Sequence, residues 1–131
     1  MIKRGHLHQI HPILPVKDVV EALRYYVQKL GFTIAFADDP KNPSYAGIRR
    51  DDIEIHLQWH DAQEWMSGFN TPMLRIVTQN IEDLFKEYEK QGVFHKDTAL
   101  RMTAWQTYEF AFYDLYGNGL TFYTDTNSSK P

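Results

Sequence analysis

The side chains best suited to hold a metal ion or move a proton are histidines and carboxylates concentrated in the first half of the chain. Five of the six histidines lie there, at His6, His8, His11, His56 and His60. Histidine is the commonest metal ligand among side chains. Because the chain contains no cysteine, a metal would depend on His, Asp or Glu, and thiolate catalysis is excluded. On the strand predicted for residues 53–57, Glu54 and His56 share a face, since strand side chains alternate.

Aromatic side chains make up 15% of the chain and suggest a different chemistry. Core packing accounts for Phe32, Phe85, Phe122 and most tyrosines. The three tryptophans fall at strand ends or in loops, where a large ring can stack on a flat ligand, worth about 0.5–1.5 kcal/mol beyond burial, or hold a cation. The predicted binding wall consists of Phe36, Tyr45, Trp59, Trp65, Trp105 and Tyr108. The groups predicted to orient the ligand are Glu54, His56 and Glu109.

Composition limits the remaining classes of function. A net charge of -3 with scattered lysines and arginines argues against nucleic-acid binding. No run of about 18 apolar residues occurs, so we expect a cytoplasmic protein without a membrane partner. The 131 residues suit one domain. Arg49 and Arg50 are interpreted as a solvated hairpin end, and no serine or glycine-rich motif indicates nucleophilic or phosphate chemistry.

The elements that must position these residues follow one pattern twice. In the first half, Asp18 is a predicted helix cap and Glu21 completes a capping box, so a helix begins at Val19 and ends before Gly31. Apolar positions within this helix have helical spacing. Alternating residues then predict strands over 32–36, 45–48 and 53–57.

The second half repeats this order from a strand at residues 73–78. Asn80 is a predicted cap for the next helix, and strands follow, one weak near 93–100 and two clear ones over 108–113 and 120–123. The caps Asp18 and Asn80 are 62 residues apart, and the turn acids Asp51 and Asp114 are 63 apart. We therefore predict an α+β fold of two βαβββ modules whose curled mixed sheets enclose a cleft. Module 1 spans about 9–59, a packed linker 60–71, module 2 about 72–124, and a frayed tail 125–131.

Several segments carry a family resemblance. The runs His11 to Asp18, Ala22 to Tyr26 and Leu30-Gly31-Phe32, with the closing run Phe110 to Asp114 and Gly117-Asn118, resemble the vicinal-oxygen-chelate superfamily of glyoxalases, bleomycin resistance proteins and dioxygenases. The segment Tyr45 to Ile53, and Trp105 just before Tyr108-Glu109-Phe110, are similar to bleomycin resistance proteins in particular. The resemblance covers about residues 9–124.

The resemblance implies a fold of paired βαβββ modules and often a divalent metal held at four positions. Here these positions fall on His11, on Glu54 or His56, at Met73 and at Thr121. Met73 and Thr121 are not credible metal ligands, so two of the four ligand positions lack a suitable side chain. A catalytic metal generally needs about three protein ligands. We therefore expect no cofactor and no enzymatic reaction, as the resemblance to the bleomycin resistance branch implies.

The resulting hypothesis is a homodimer that sequesters an aromatic, cationic antibiotic of the bleomycin type by ring stacking, without breaking a bond. The resemblance implies clefts built from both chains, often with an exchanged N-terminal strand. The alternative is a metal-dependent lyase, dioxygenase or thiol transferase that would use His11, Glu54 and His56. A module that binds an unrelated metabolite is a third possibility.

Overall fold

The computed structural model describes residues 3–68 and 70–126. Its helices and strands are, in chain order, β1 (Ile13–Val16), α1 (Val19–Gln28), β2 (Thr33–Ala37), β3 (Tyr45–Arg50), β4 (Ile53–Trp59), α2 (Ala62–Met66), β5 (Met73–Val77), α3 (Ile81–Lys90), β6 (Arg101–Met102), β7 (Thr107–Tyr113) and β8 (Gly119–Asp125). No helix in these ranges combines the length and apolar character needed to cross a membrane.

The strands form two four-stranded mixed sheets of the same topology. Sheet A has the order β1-β4-β3-β2, and sheet B has the order β5-β8-β7-β6. In each sheet the first strand pairs in parallel with the last strand of its module, and the other pairs are antiparallel. The predicted α+β architecture and its internal repeat are confirmed. The weak strand predicted near 93–100 is wrong in place, because the paired segment is Arg101–Met102, in register with Glu109 and Tyr108.

Helix α1 begins at the predicted residue and is capped by Asp18, but the predicted capping box is wrong, because the Glu21 side chain accepts a 2.6 Å hydrogen bond from the Tyr116 hydroxyl instead. The Asp18 side chain accepts a 3.0 Å hydrogen bond from the amide of Glu21, which satisfies one of the free donors at the helix start. Gly31 has a φ of +80°, a left-handed conformation that costs glycine little and that ends the segment. The face carrying Ala22 and Tyr26 is fully buried against the sheet. Capping and amphipathic spacing therefore define this element together.

Helix α3 begins differently from the prediction. Asn80 lies at its start but has a φ of +56°, and its side chain makes no capping hydrogen bond. A capping side chain reaches the helix amides from an extended backbone, which the left-handed conformation of Asn80 does not provide. Instead, the backbone carbonyl of Asn80 accepts hydrogen bonds from the amides of Asp83 and Leu84. The predicted helix is confirmed, and the predicted capping role of Asn80 is wrong.

The hydrophobic core collects one face of each sheet together with both long helices. Its largest fully buried side chains include Tyr26, Tyr88, Phe110, Phe112, Leu14, Leu30, Ile48, Ile55, Leu57 and Leu120. Each such side chain contributes on the order of 1.5–3 kcal/mol through burial. The opposite face of each sheet stays open, and Phe36 on sheet A and Val77 on sheet B are 42% and 71% exposed. We call these surfaces the open faces of the two sheets.

The linker between the modules contains a helix that the sequence reasoning did not predict. Asp61 and Glu64 form a reciprocal capping box at the start of α2. Within the linker, the indole Nε1 of Trp65 donates to the His60 carbonyl at 3.1 Å, and Lys17 Nζ lies 5.1 Å from the ring centroid. No side chain of α2 is buried. The linker residue Phe69 and tail residues 127–131 lie outside the described residues.

Candidate functional site

The open face of sheet A carries a group of three rings. Phe36, Gly47 and His56 are cross-strand neighbours on β2, β3 and β4. Because Gly47 has no side chain, the Phe36 ring lies directly over it and meets the His56 ring edge-on, with 5.2 Å between centroids. Tyr45 stacks on Phe36 at 6.2 Å and meets His56 at 5.4 Å. We call Phe36, Tyr45 and His56 the aromatic group.

Hydrogen bonds connect this group to a carboxylate. The Tyr45 hydroxyl lies 2.7 Å from His56 Nδ1, and His56 Nε2 lies 2.8 Å from Glu54 Oε2. With neutral His56, the hydroxyl donates to Nδ1 and the Nε2 proton is donated to the carboxylate. The other carboxylate oxygen accepts a 2.6 Å hydrogen bond from Arg49 Nη2. The imidazole is therefore held at both nitrogens, and its orientation is fixed before any ligand arrives.

Glu54 is ionised across the physiological pH range. The hydrogen bond from His56, followed by that from Arg49, lowers the pKa of the Glu54 carboxyl to about 2. His11 Nδ1 approaches the same carboxylate at 3.8 Å, and the His11 ring lies 4.8 Å from that of His56. The carboxylate thus lies at the centre of a small polar network.

The open face of sheet B carries a second polar cluster. Arg75 Nη2 lies 3.3 Å from Glu109 Oε2, and the Arg75 guanidinium carbon lies 4.2 Å from the centroid of the Tyr123 ring. The Thr107 hydroxyl donates to the same Glu109 oxygen at 2.7 Å. Both glutamates that were predicted to orient the ligand, Glu54 and Glu109, are therefore already paired with arginines of their own sheet.

A hollow of about 720 Å³ lies between the two sheets and reaches Glu54 of the first cluster and Arg75 of the second. Its walls come from the segment before β1, the start of β4 and strand β5, with His11, Arg49, Glu54 and Arg75 among the lining residues. A volume of this size is within the range of about 300–1,000 Å³ that is usual for small-molecule sites. The hollow exposes both charged and apolar groups to a ligand.

The structure brings together only part of the predicted wall. Phe36, Tyr45, Glu54 and His56 form one group, and Glu109 lies on the open face of sheet B. Tyr108 alternates with Glu109 along β7 and packs against the core, because successive strand residues face opposite sides. That alternation removes Tyr108 from the predicted wall.

The three tryptophans lie in three different places. Trp59 ends β4 on the face of Ile55 and Leu57, and Trp65 belongs to α2. Trp105 lies in the turn between β6 and β7 and is 65% exposed. Their contribution to a site with the aromatic group remains a prediction.

Sequence reasoning missed three arginines. Arg49 and Arg50 were interpreted as a solvated hairpin end, but Arg49 pairs with Glu54, and Arg50 forms a two-pronged ion pair with Glu87 of the other module, with nitrogen–oxygen distances of 2.7 and 3.0 Å. The first pairing was detectable, because Arg49 and Glu54 flank the turn and are cross-strand partners. Arg75 also had a signal, as a charge at the centre of an otherwise apolar strand.

The residues at the metal positions implied by the family resemblance do not fit a metal centre. The Thr121 hydroxyl donates a hydrogen bond to the sulfur of Met73 at 3.1 Å. These two side chains therefore bind each other, and neither is a strong metal ligand. His11, Glu54 and His56 have possible donor atoms within 4.8 Å of one another. Glu54, however, already binds both Arg49 and His56, and the arginine places a positive charge beside the carboxylate that a cation would need.

Family and structure comparisons agree with this fold. The chain belongs to the Glyoxalase/Bleomycin resistance protein/Dioxygenase superfamily, whose family model matches residues 6–122. Among individual proteins, it is similar to the bleomycin resistance proteins of Geobacillus stearothermophilus and Staphylococcus aureus. Each is 28% identical over 132 residues, which cover 89% of this chain and 96% of the relative.

Two solved structures share the architecture. The bleomycin-binding protein of bleomycin-producing Streptomyces verticillus, complexed with copper(II)-bleomycin, is 25% identical, with a TM-score of 0.71 and coverage of 93% of this chain and 98% of that one. A bleomycin resistance determinant encoded on transposon Tn5 superposes with a TM-score of 0.75 at 18% identity, covering 91% and 98%. The predicted superfamily and fold are confirmed.

Proposed function

We propose that this protein sequesters a bleomycin-like glycopeptide antibiotic by binding it without chemical change. The observation that carries the proposal is the aromatic group, three rings held in contact on an open sheet face beside the hollow. A ring platform that is organised before binding loses little conformational freedom when a flat ligand stacks on it. Relatives named as bleomycin resistance proteins, of nearly the same length, support the choice of ligand.

Binding without catalysis is supported by the composition of the site. Its carboxylates accept hydrogen bonds from arginine, histidine and threonine side chains. Two of the metal-ligand positions implied by the family resemblance are occupied by Met73 and Thr121. Such groups can orient a ligand but provide neither a Lewis acid nor an activated nucleophile. The alternative enzymatic hypothesis has no comparable support.

We further propose that residues 1–131 act as a single domain in a cytoplasmic homodimer. Exposed apolar side chains on the open faces, such as Phe36 and Val77, and on the N-terminal segment, such as Leu7 and Ile10, support the association of two copies. The cysteine-free chain requires no oxidising compartment. Light scattering coupled to size exclusion is expected to give twice the chain mass of 15.4 kDa.

Calorimetric titration with metal-free bleomycin tests the proposed function. Wild-type protein is expected to saturate at about one drug per chain, and Phe36→Ala is expected to lose about two- to tenfold in affinity through the lost ring contact. Val20→Ala is the matched control, because Val20 has a similar exposure of 45% but lies on α1, away from the open faces. Absence of saturable binding by the wild type would contradict the proposal.

A further inference from the structure

Arg75 is surrounded by the groups that a bound cation would use. An aromatic ring face, a carboxylate and a fixed geometry together make a good site for an ammonium or guanidinium group. Tyr123 supplies the ring, 4.2 Å from the guanidinium carbon, and Glu109 supplies the carboxylate at 3.3 Å. In the free protein, this cation site is occupied by a side chain of the protein itself.

Contacts that do not involve Arg75 hold Glu109 and Tyr123 in place. Glu109 has only 16% of its side chain exposed and accepts a 2.7 Å hydrogen bond from Thr107, which is itself buried. Tyr123 is anchored in β8, opposite Glu109 in the β7–β8 register. Removal of the arginine would therefore leave a carboxylate and a ring still facing the same point.

Arg75 is more easily displaced than the corresponding arginine of sheet A. Its contact with Glu109 is a single long hydrogen bond of 3.3 Å. Arg49 holds Glu54 through two nitrogens, at 2.6 and 3.2 Å. Arg75 also lines the hollow between the sheets, so a ligand in that space reaches it directly. A partly exposed ion pair of this kind contributes little to stability, so a ligand cation can replace the arginine.

We propose that Tyr123 and Glu109 form a cation subsite, and that Arg75 occupies it until a cationic group of the ligand takes its place. This inference rests on the proposed function, since it assigns the positive charge of the ligand to a particular part of the site. Arg75 then determines specificity by competition: it weakens binding of every cationic ligand and excludes those whose cation cannot replace it.

The test compares bleomycin affinities of Arg75→Gln, Arg75→Lys and wild-type protein by calorimetry, with folding of each variant checked by thermal unfolding. Arg75→Gln is expected to bind about fivefold more tightly or better, the scale of one ring and carboxylate contact, whereas Arg75→Lys keeps a competing cation and stays within about twofold. Arg101→Gln is the matched control. It removes the same charge from the residue in register with Glu109, but Arg101 donates its hydrogen bond to the Asp97 carbonyl.

Each outcome decides between the two proposals. Tighter binding by Arg75→Gln alone supports the cation subsite. Unchanged or weaker binding by Arg75→Gln, or equal tightening by Arg101→Gln, overturns the subsite while the proposed function stands. Binding by Arg75→Gln but not by wild type supports the subsite and overturns sequestration by the natural chain. Absence of binding by both overturns both proposals.

Discussion

The hydroxyl of Tyr26 donates a 2.7 Å hydrogen bond to a carboxylate oxygen of Asp114, although 88 residues separate the two in the chain. Tyr26 lies on the buried face of α1, and Asp114 begins the turn between the last two strands. The same carboxylate accepts hydrogen bonds from the amides of Tyr116 and Asn118 and from the Asn118 side chain, which also donates to the Pro15 carbonyl. Hydrogen bonds from this turn therefore connect module 2 to the first strand and helix of module 1.

Tyr26→Phe is expected to destabilise the protein by about 1–3 kcal/mol, because it leaves a buried carboxylate oxygen with one donor fewer. Burial, reinforced by the charge of Asp114, raises the pKa of Tyr26 well above its usual value, so the hydroxyl remains a donor. Urea unfolding measures the loss. Tyr25→Phe is the control, because the neighbouring hydroxyl makes no hydrogen bond within the described residues. An equal loss in both variants would contradict the assignment.

Arg50 makes a second connection between the modules. Its guanidinium donates to both carboxylate oxygens of Glu87 and to the Leu30 carbonyl, the latter at 2.7 Å. Arg50→Lys is expected to cost about 1–3 kcal/mol, because a lysine cannot form this fork. Arg49→Lys, where the arginine side chain is 59% exposed, is expected to cost less than about 1 kcal/mol. Denaturant unfolding measures the free energy of unfolding of both variants and of the wild type. Losses of similar size in the two variants would show that the paired hydrogen bonds of Arg50 to Glu87 stabilise the protein no more than the Arg49–Glu54 pair does.

Local features of the sequence predicted the local parts of the structure. Asp18 defined the start of α1, and strand alternation placed Glu54 and His56 on one face. The same rule could have excluded Tyr108, since it alternates with Glu109 and cannot share its face. The left-handed backbone of Asn80 carries no such local signal, because asparagine is common both at caps and in this conformation.

The contacts between modules could not be predicted in this way. Arg50 meets Glu87 across 37 residues, and Tyr26 meets Asp114 across 88. Their pairing depends on how two sheets pack, which residue spacing along one chain does not encode. For the same reason, Trp59, Trp65 and Trp105 shared an aromatic character but were separated by the fold. Ring content indicated that aromatic side chains would cluster but did not indicate which rings would meet.

Acid is expected to weaken the network around Glu54. Its carboxyl pKa is lowered from an ordinary value of 4.5 to about 2 by the hydrogen bonds from His56 and Arg49. A lowered pKa stabilises the fold above the unfolded-state value, and this contribution is lost as the pH falls through the folded-state value. The stability advantage of wild type over Glu54→Gln should therefore shrink as the pH falls from about 4.5 to about 2.

Melting temperatures measured across that acid range test the prediction. Glu89→Gln is the control, since Glu89 is exposed on α3 and its side chain has no ion-pair partner in the described part of the chain. Its difference from wild type should show a smaller change with pH. A constant difference between wild type and Glu54→Gln would show that the carboxylate is not stabilised by its neighbours.

Gly47→Ala is expected to weaken bleomycin binding by displacing the Phe36 ring. A Cβ at position 47 would overlap that ring, with Phe36 Cδ1 at 2.8 Å. The ring must swing away, which breaks its edge contact with His56 and its stack on Tyr45, at a cost of about two- to tenfold in affinity. Gly5→Ala adds the same methyl group where no atom lies within 4 Å, and its affinity should match that of the wild type. Calorimetry measures both, and thermal unfolding verifies that Gly47→Ala remains folded. If Gly47→Ala binds as tightly as Gly5→Ala, stacking on Phe36 does not contribute to binding.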